Sequence, residues 1–199
     1  MCRILPGAVL LAGFLLCGPA LAGPFDVSPY RYGPLVNKAL SQAGSEVRFH
    51  RIRCMERSRV ECRFSSERIA VLVEGQASPP RTSRVSIEAD LMQDKAGAGP
   101  LQMVADSVLP LGATMAVLDP ALAATRRVQL LSDLMTEVLD TGRSEDEGAG
   151  ARYTLVFDEA ASGVLAVTVT PLNSGSGDDL AHLDAHGFRT AEHRHWSHP

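Results

Sequence analysis

Residues 51–64 read "RIRCMERSRVECRF" and place Cys54 and Cys62 eight positions apart among five arginines. If the two cysteines face each other in a hairpin, the numbers of every opposed pair sum to 116. That register puts Ile52 opposite Phe64 and predicts one apolar hairpin face, formed by Ile52, Cys54, Val60, Cys62 and Phe64. This agreement between register and hydrophobic pattern favours a structural disulfide between Cys54 and Cys62.

Two other roles for the cysteines are weaker. A catalytic redox pair is more typically C-x-x-C, and a zinc site needs further ligands nearby. A disulfide that closes a loop of about nine residues contributes roughly 2.5 kcal/mol to stability in the chain-entropy model. The sequence therefore predicts that the cysteines fix a hairpin.

The same register places Arg51, Arg53 and Arg63 on the opposite hairpin face, with Arg53 directly across from Arg63. Like charges that oppose each other on a sheet are destabilising. A functional interpretation is an anion or partner site, because guanidinium groups bind carboxylates and phosphates through two parallel hydrogen bonds. The alternative is a solvated strand face neutralised by four nearby carboxylates, those of Glu46, Glu56, Glu61 and Glu67.

Further strands are predicted on both sides of the hairpin by hydrophobic period. "EVRFHRIRC" changes parity, which indicates a bulge near His50-Arg51. "RIAVLVEG" is a continuous apolar run, as in an inner strand covered on both faces. "RVSIEADLM" alternates, and "RYTLVFDEAASGVLAVTVTPL" alternates on both sides of Gly163, as expected for a hairpin. The segment "GRSEDEGAGA" is predicted to be an acidic loop.

Three helical segments are predicted. The first covers residues 34–43, between Pro34 and Gly44. The second, 100–118, is interrupted by Pro110 and Gly112. The third and strongest begins after a cap at Asp119 and ends at Gly142. Its expected apolar stripe consists of Val128, Leu131, Leu134, Met135 and Val138.

This order predicts an α+β fold: an antiparallel sheet of about five to six strands, a meander plus a C-terminal hairpin, with two to three helices on one side. The order over roughly residues 34–171 is similar to that of the small secretion-chaperone-like α/β domains, which pair an N-terminal helix and a meander with a helix and a hairpin. The similarity involves no shared motif. It implies a fold, and no function follows from it.

Residues 1–22 have the pattern of a secretory signal peptide: Arg3, an apolar run over 8–16, and small Ala20 and Ala22 before Gly23. The run is too short for a membrane span, which needs about 20 apolar residues. A lipoprotein cysteine at Cys17 is weaker, because bulky Leu16 precedes it. We expect a periplasmic or secreted protein with an extended lead-in over 23–33, a single domain over 34–172 and a flexible tail over 173–199.

Composition narrows the function only by exclusion. The 199 residues carry a formal net charge of −4, and loss of Arg3 with the leader makes it −5, which disfavours nucleic-acid binding. The high ratio of arginine to lysine, with abundant alanine and glycine, is typical of a GC-rich bacterial genome. No G-x-S-x-G, H-E-x-x-H, phosphate-binding loop or dinucleotide motif occurs.

The tail gathers five of the six histidines. They are His182, His186, His193, His195 and His198. Such imidazoles bind Zn, Cu or Ni, so a periplasmic metal-binding protein is one alternative function. The leading hypothesis is an exported, non-catalytic binding protein without a resident cofactor, which takes an unidentified protein or peptide partner. A hydrolase with an unrecognised site is the second alternative.

Overall fold

The structure is a computed structural model that describes residues 23–91, 100–158 and 163–172. These residues form three helices and seven strands. In chain order they are α1 Pro29–Gln42, β1 His50–Glu56, β2 Val60–Ser65, β3 Ile69–Ala77, β4 Pro80–Asp90, α2 Pro100–Leu118, α3 Ala124–Thr141, β5 Arg143–Glu147, β6 Ala151–Asp158 and β7 Val164–Pro171.

The strands form one antiparallel sheet in the order β1-β2-β3-β4-β7-β6-β5. Along the inner strands, alternate side chains are buried: those of β3 are Ile69, Val71 and Val73, and those of β7 are Leu165, Val167 and Val169. The helices cover the face that carries these buried side chains. Successive side chains of a strand point to opposite faces, so only every second residue contacts the helices. The predicted α+β fold with helices on one side of the sheet is confirmed.

The sheet has one strand more than expected, because the predicted acidic loop contains β5. Glu145 of β5 pairs with Thr154 of β6, and Glu147 pairs with Arg152. Charged side chains are unfavourable in a central strand but suit an edge, where they keep the strand from pairing with another chain. The composition of this charged, glycine-containing segment is also typical of a loop, which is why β5 was not predicted.

The β1–β2 register agrees with the prediction from Arg53 to Glu56 and is shifted by one residue at His50 and Arg51. Cys54 is opposite Cys62 and Arg53 is opposite Arg63, as expected, but the bulge falls between Arg51 and Arg53. Phe64 is consequently opposite Arg51, and Ile52 does not join the apolar face. Its side chain is 49% exposed, because the extra residue of a bulge has no cross-strand partner.

Helix α1 begins at Pro29, five residues before the predicted start, so the expected extended lead-in is partly helical. The buried stripe explains the earlier start: Tyr32, Val36 and Leu40 are four residues apart and all face the core. Proline is favourable in the first turn of a helix, and Pro29 occupies that position. Pro34 therefore lies inside the helix and does not begin it.

Helix α2 is continuous through Pro110, where an interruption was expected. Helix α3 begins at Ala124, so the predicted cap at Asp119 is wrong. The predicted stripe is wrong at Val128, which is 70% exposed, whereas Leu130 is fully buried. The register explains this: Leu130, Leu134 and Val138 follow a four-residue spacing, and Val128 lies about 200° around the helix from Leu130.

Replacing Gly33 by alanine is expected to lower the free energy of unfolding by about 1–3 kcal/mol, the usual cost of overpacking a core. A Cβ at Gly33 would lie 2.5 Å from Cε1 of Phe64, whose ring is itself buried. The matched control is Gly112→Ala in α2, where the nearest atom is 3.6 Å away. That change should raise stability by about 0.5–1 kcal/mol. Urea unfolding curves measure both, and equal effects would contradict the packing account.

Candidate functional site

The β1–β2 hairpin contains the disulfide that the register predicted, between Cys54 and Cys62. Cys62 is completely buried against the helix layer and Cys54 is partly buried. Both cysteine side chains are therefore on the helix side of the sheet. The bond joins an edge strand to its only sheet neighbour and fixes which residues of β1 face outward.

The arginines of this hairpin are brought together only in part. Arg53 and Arg63 are directly opposed and both are exposed, whereas Arg51 lies beyond the bulge, opposite Phe64, and is also exposed. Among the described residues, no carboxylate forms an ion pair with any of the three. Glu56, one of the expected neutralising groups, instead accepts a hydrogen bond from the Tyr30 hydroxyl at 2.8 Å, which raises the pKa of Tyr30.

The sheet face opposite the helices is called the open face below. One lateral row of this face crosses all seven strands. In order it contains Arg53, Arg63, Leu72, Ser86, Thr168, Thr154 and Glu145. A neighbouring row contains Ser65, Ala70, Glu88, Ala166, Val156 and Arg143. The centre of the open face thus combines small, apolar and hydroxyl side chains with the exposed carboxylate Glu88 of β4, and Val156 is 41% exposed.

Strand β3 was expected to be covered on both faces, and this prediction is wrong for the described residues. On the open face Ala70 is exposed and Leu72 is half-buried, while on the helix face every second side chain is buried. The continuous apolar run therefore supplies one covered face and one that no described element covers. Exposed apolar area of this kind is typical of interaction surfaces.

The charges at the two edges of the open face differ. At the β5 edge, Arg152 lies 2.8 Å from Glu147 and 3.6 Å from Glu145, and Arg143 lies 3.5 Å from Glu145. These charges neutralise one another. At the β1 edge, Arg53 and Arg63 have each other as cross-strand neighbours. The described residues thus form ion pairs at the β5 edge of the open face but none with Arg53 or Arg63 at the β1 edge, where Glu61 is the next residue of β2 on the same face.

Asp119 is a buried functional group whose environment the sequence did not predict. It is completely buried, and its Oδ2 accepts a hydrogen bond from the Ala149 backbone N–H at 2.8 Å and lies 3.5 Å from the Tyr153 hydroxyl. Burial and this carboxylate raise the pKa of Tyr153. Asp119 holds the β5–β6 turn closed, so its role is structural. Gly148 was the sequence signal, since a Cβ there would collide with the carboxylate, whereas one at Gly150 would collide with Pro24.

Open cavities occur among the described residues. One, of about 440 Å³, is bordered by Pro24, Phe25 and Arg81. Another, of about 340 Å³, lies at the β1–β2 turn between Arg57 and Arg59, next to Glu61. No group of three His, Cys, Asp or Glu side chains in the described part of the chain is arranged to hold a metal ion. The hydrolase alternative remains a prediction.

The predicted metal ligands lie outside the described residues, because all five histidines belong to 173–199. Among the helices described, none is both long and apolar enough to cross a bilayer. No protein-family model, curated protein or solved structure matches this chain. The resemblance in element order to the secretion-chaperone-like domains therefore remains a prediction, and any function must be argued from the site itself.

Replacing Cys54 and Cys62 together by alanine should lower the free energy of unfolding by about 2.5 kcal/mol, because the unfolded chain regains the entropy of an open loop. Urea unfolding curves with and without a reductant measure the effect. The reductant should destabilise the wild type by a similar amount and leave the double variant unchanged. Equal stabilities of reduced and oxidised wild type would contradict a stabilising disulfide.

The metal hypothesis for the tail predicts Zn, Cu or Ni binding tighter than micromolar, lost when the chain is cut after Leu172. Imidazoles bound to the ion in their neutral form should make the affinity fall as the pH drops below about 6.5. Calorimetric titration of the full-length and shortened proteins makes the comparison. Micromolar or weaker affinity, or equal affinity of both proteins, would rule out a physiological metal site.

Proposed function

We propose that this protein is an exported, disulfide-stapled binding protein that takes a protein partner on the open face of its sheet. The observation that supports the proposal is that no described element covers Ala70, Leu72 and Val156 of that face, and that no described carboxylate forms an ion pair with the nearby Arg53 and Arg63. Export is supported by the leader-like residues 1–22 and by the Cys54–Cys62 disulfide, because disulfides persist in oxidising compartments.

The dimensions of the open face suit such a partner. Seven strands about 4.8 Å apart span roughly 29 Å, and a ladder of six residues adds roughly 20 Å in the other direction. The projected area is then about 600 Å², of the same order as the roughly 800 Å² that each partner contributes to a stable interface. A folded domain or an extended segment of a partner fits on it.

The charge asymmetry specifies the chemistry of the partner. Carboxylates of the partner would bind Arg53 and Arg63, since two like charges held opposite each other gain most from an added anion. Apolar side chains of the partner would cover Leu72 and Val156. The β5 edge requires no complementary charge, because its arginines are already paired. We therefore expect a partner with an acidic patch beside an apolar one.

A photo-crosslinking residue at position 72 should capture the partner in a periplasmic extract, and the same residue at position 128 should not. Position 128 is the matched control, because Val128 is exposed on α3, on the opposite side of the molecule. Capture of the same protein from both positions would contradict docking on the open face. Mass spectrometry of the crosslinked product identifies the partner.

Two variants that change the charge of the open face then test whether this face binds the captured partner. Arg53→Glu with Arg63→Glu should weaken binding of the captured partner at least tenfold, as should Val156→Glu. Arg126→Glu and Val128→Glu on α3 should change it less than twofold. All five positions are exposed, so urea unfolding should show similar stabilities. Unchanged affinity in both open-face variants would overturn the proposal.

A further inference from the structure

The first described residues form a closed turn. The Asp26 backbone N–H donates to the Gly23 carbonyl at 3.1 Å, and the Phe25 N–H donates to the Leu118 carbonyl at 2.9 Å. The Phe25 side chain is 2% exposed. Just beyond, the Thr82 N–H and hydroxyl both donate to the Val27 carbonyl, at 2.8 and 2.6 Å. The chain is thus attached to α2 and β4 from its first described residues onward.

Phe25, which lies in this turn, itself has an unfavourable backbone conformation. Its φ is 62°, in the left-handed region that residues with a side chain rarely occupy. Burial of its ring compensates, since an aromatic side chain gains most from leaving water. Such conformations persist where the surroundings fix them and cluster at functional positions. The left-handed conformation of Phe25 therefore points to a function for this turn.

The Asp26 carboxylate is directed at the start of the chain. Its Oδ2 accepts a hydrogen bond from the Gly23 nitrogen at 2.8 Å, and its Oδ1 forms an ion pair with the Arg81 guanidinium. A Cβ at Gly23 would lie 2.9 Å from Oδ2, so a side chain there would displace the carboxylate. Glycine at this position keeps the nitrogen of residue 23 within reach of Asp26.

We propose that the chain is cut between Ala22 and Gly23 and that the new α-ammonium group of Gly23 is a specific ligand of the Asp26 carboxylate. The proposal rests on the proposed export, which brings the leader to a signal peptidase. Hydrolysis of the Ala22–Gly23 peptide bond consumes one water and leaves a carboxylate on Ala22 and an ammonium on Gly23. The acceptor of this hydrogen bond is already ionised, and the cut gives it a charged donor as well, so the hydrogen bond becomes an ion pair.

The possible cuts differ in where they leave the new charge relative to Asp26. A cut one residue earlier leaves Ala22 attached, so the nitrogen of Gly23 remains a neutral amide and the charge moves away from Asp26. A cut one residue later removes Gly23 and leaves the charge on the nitrogen of Pro24, which is not the nitrogen that donates to Asp26. Only cleavage before Gly23 places the ammonium beside the carboxylate that Arg81 already orients.

Three forms of the mature protein test the ion pair: residues 23–199, residues 22–199, and residues 23–199 with an acetylated N-terminus. We expect the first to have a folding equilibrium constant roughly two- to fivefold larger than the other two, the range for a partly exposed ion pair. In an Asp26→Asn background this advantage should vanish. Asp140→Asn, an exposed carboxylate on α3, is the control and should preserve it.

Urea unfolding curves give these constants. Equal constants for the three N-termini, or an advantage that persists in Asp26→Asn, would overturn the role of Asp26. The intact mass of the exported protein, expressed from residue 1 in a bacterium, gives the cut. A mass that begins at Gly23 supports the proposal. Export with a cut elsewhere overturns this inference alone, whereas retention of the uncut chain in the cytoplasm overturns the proposed export as well.

Discussion

The fully buried ring of Tyr32 connects two helices to the sheet. It packs on Phe64 of β2 with ring centroids 5.7 Å apart, and its hydroxyl is hydrogen-bonded to Thr114 of α2 at 2.7 Å. Burial raises the pKa of Tyr32, so the hydroxyl stays neutral. Displacing α1 or α2 would leave a buried hydroxyl without its partner, which is costly, and displacing β2 would remove the ring contact. The helix layer is therefore fixed on this face of the sheet, and no described element covers the opposite face.

The fold was predictable from sequence wherever the determining signal was local. Alternation at Val60, Cys62 and Phe64 predicted both the strand and the disulfide register. The start of α1 was not predictable in this way, because Tyr32 becomes part of a helix through contacts with residues more than 30 positions away. The edge strand β5 was missed for a related reason: its charges match a loop until its pairing with β6 is known.

The candidate site was likewise predictable only where the signal was local. The run "RIAVLVEG" contains the apolar residues of β3, yet it does not show which of them the helices cover. Leu72 could be assigned to the open face only once β3 was placed in the sheet. Likewise, the sequence alone does not show which of Arg53 and Arg152 is paired with a carboxylate. The structure distinguishes them because β5 brings Glu147 to Arg152 and no described carboxylate reaches Arg53.

Two stabilising features of this fold require chemistry that, in the proposed scheme, happens only after export. Oxidation joins Cys54 to Cys62 at the β1–β2 edge, and hydrolysis frees the nitrogen of Gly23 beside Asp26, next to β4. The disulfide alone supplies about 2.5 kcal/mol, a large share of the 5–15 kcal/mol that holds a typical domain folded. A chain without either feature unfolds more readily, which suits passage through a membrane as an extended polymer. The folded state, and with it the complete open face, is then favoured most in the compartment where a partner would be bound.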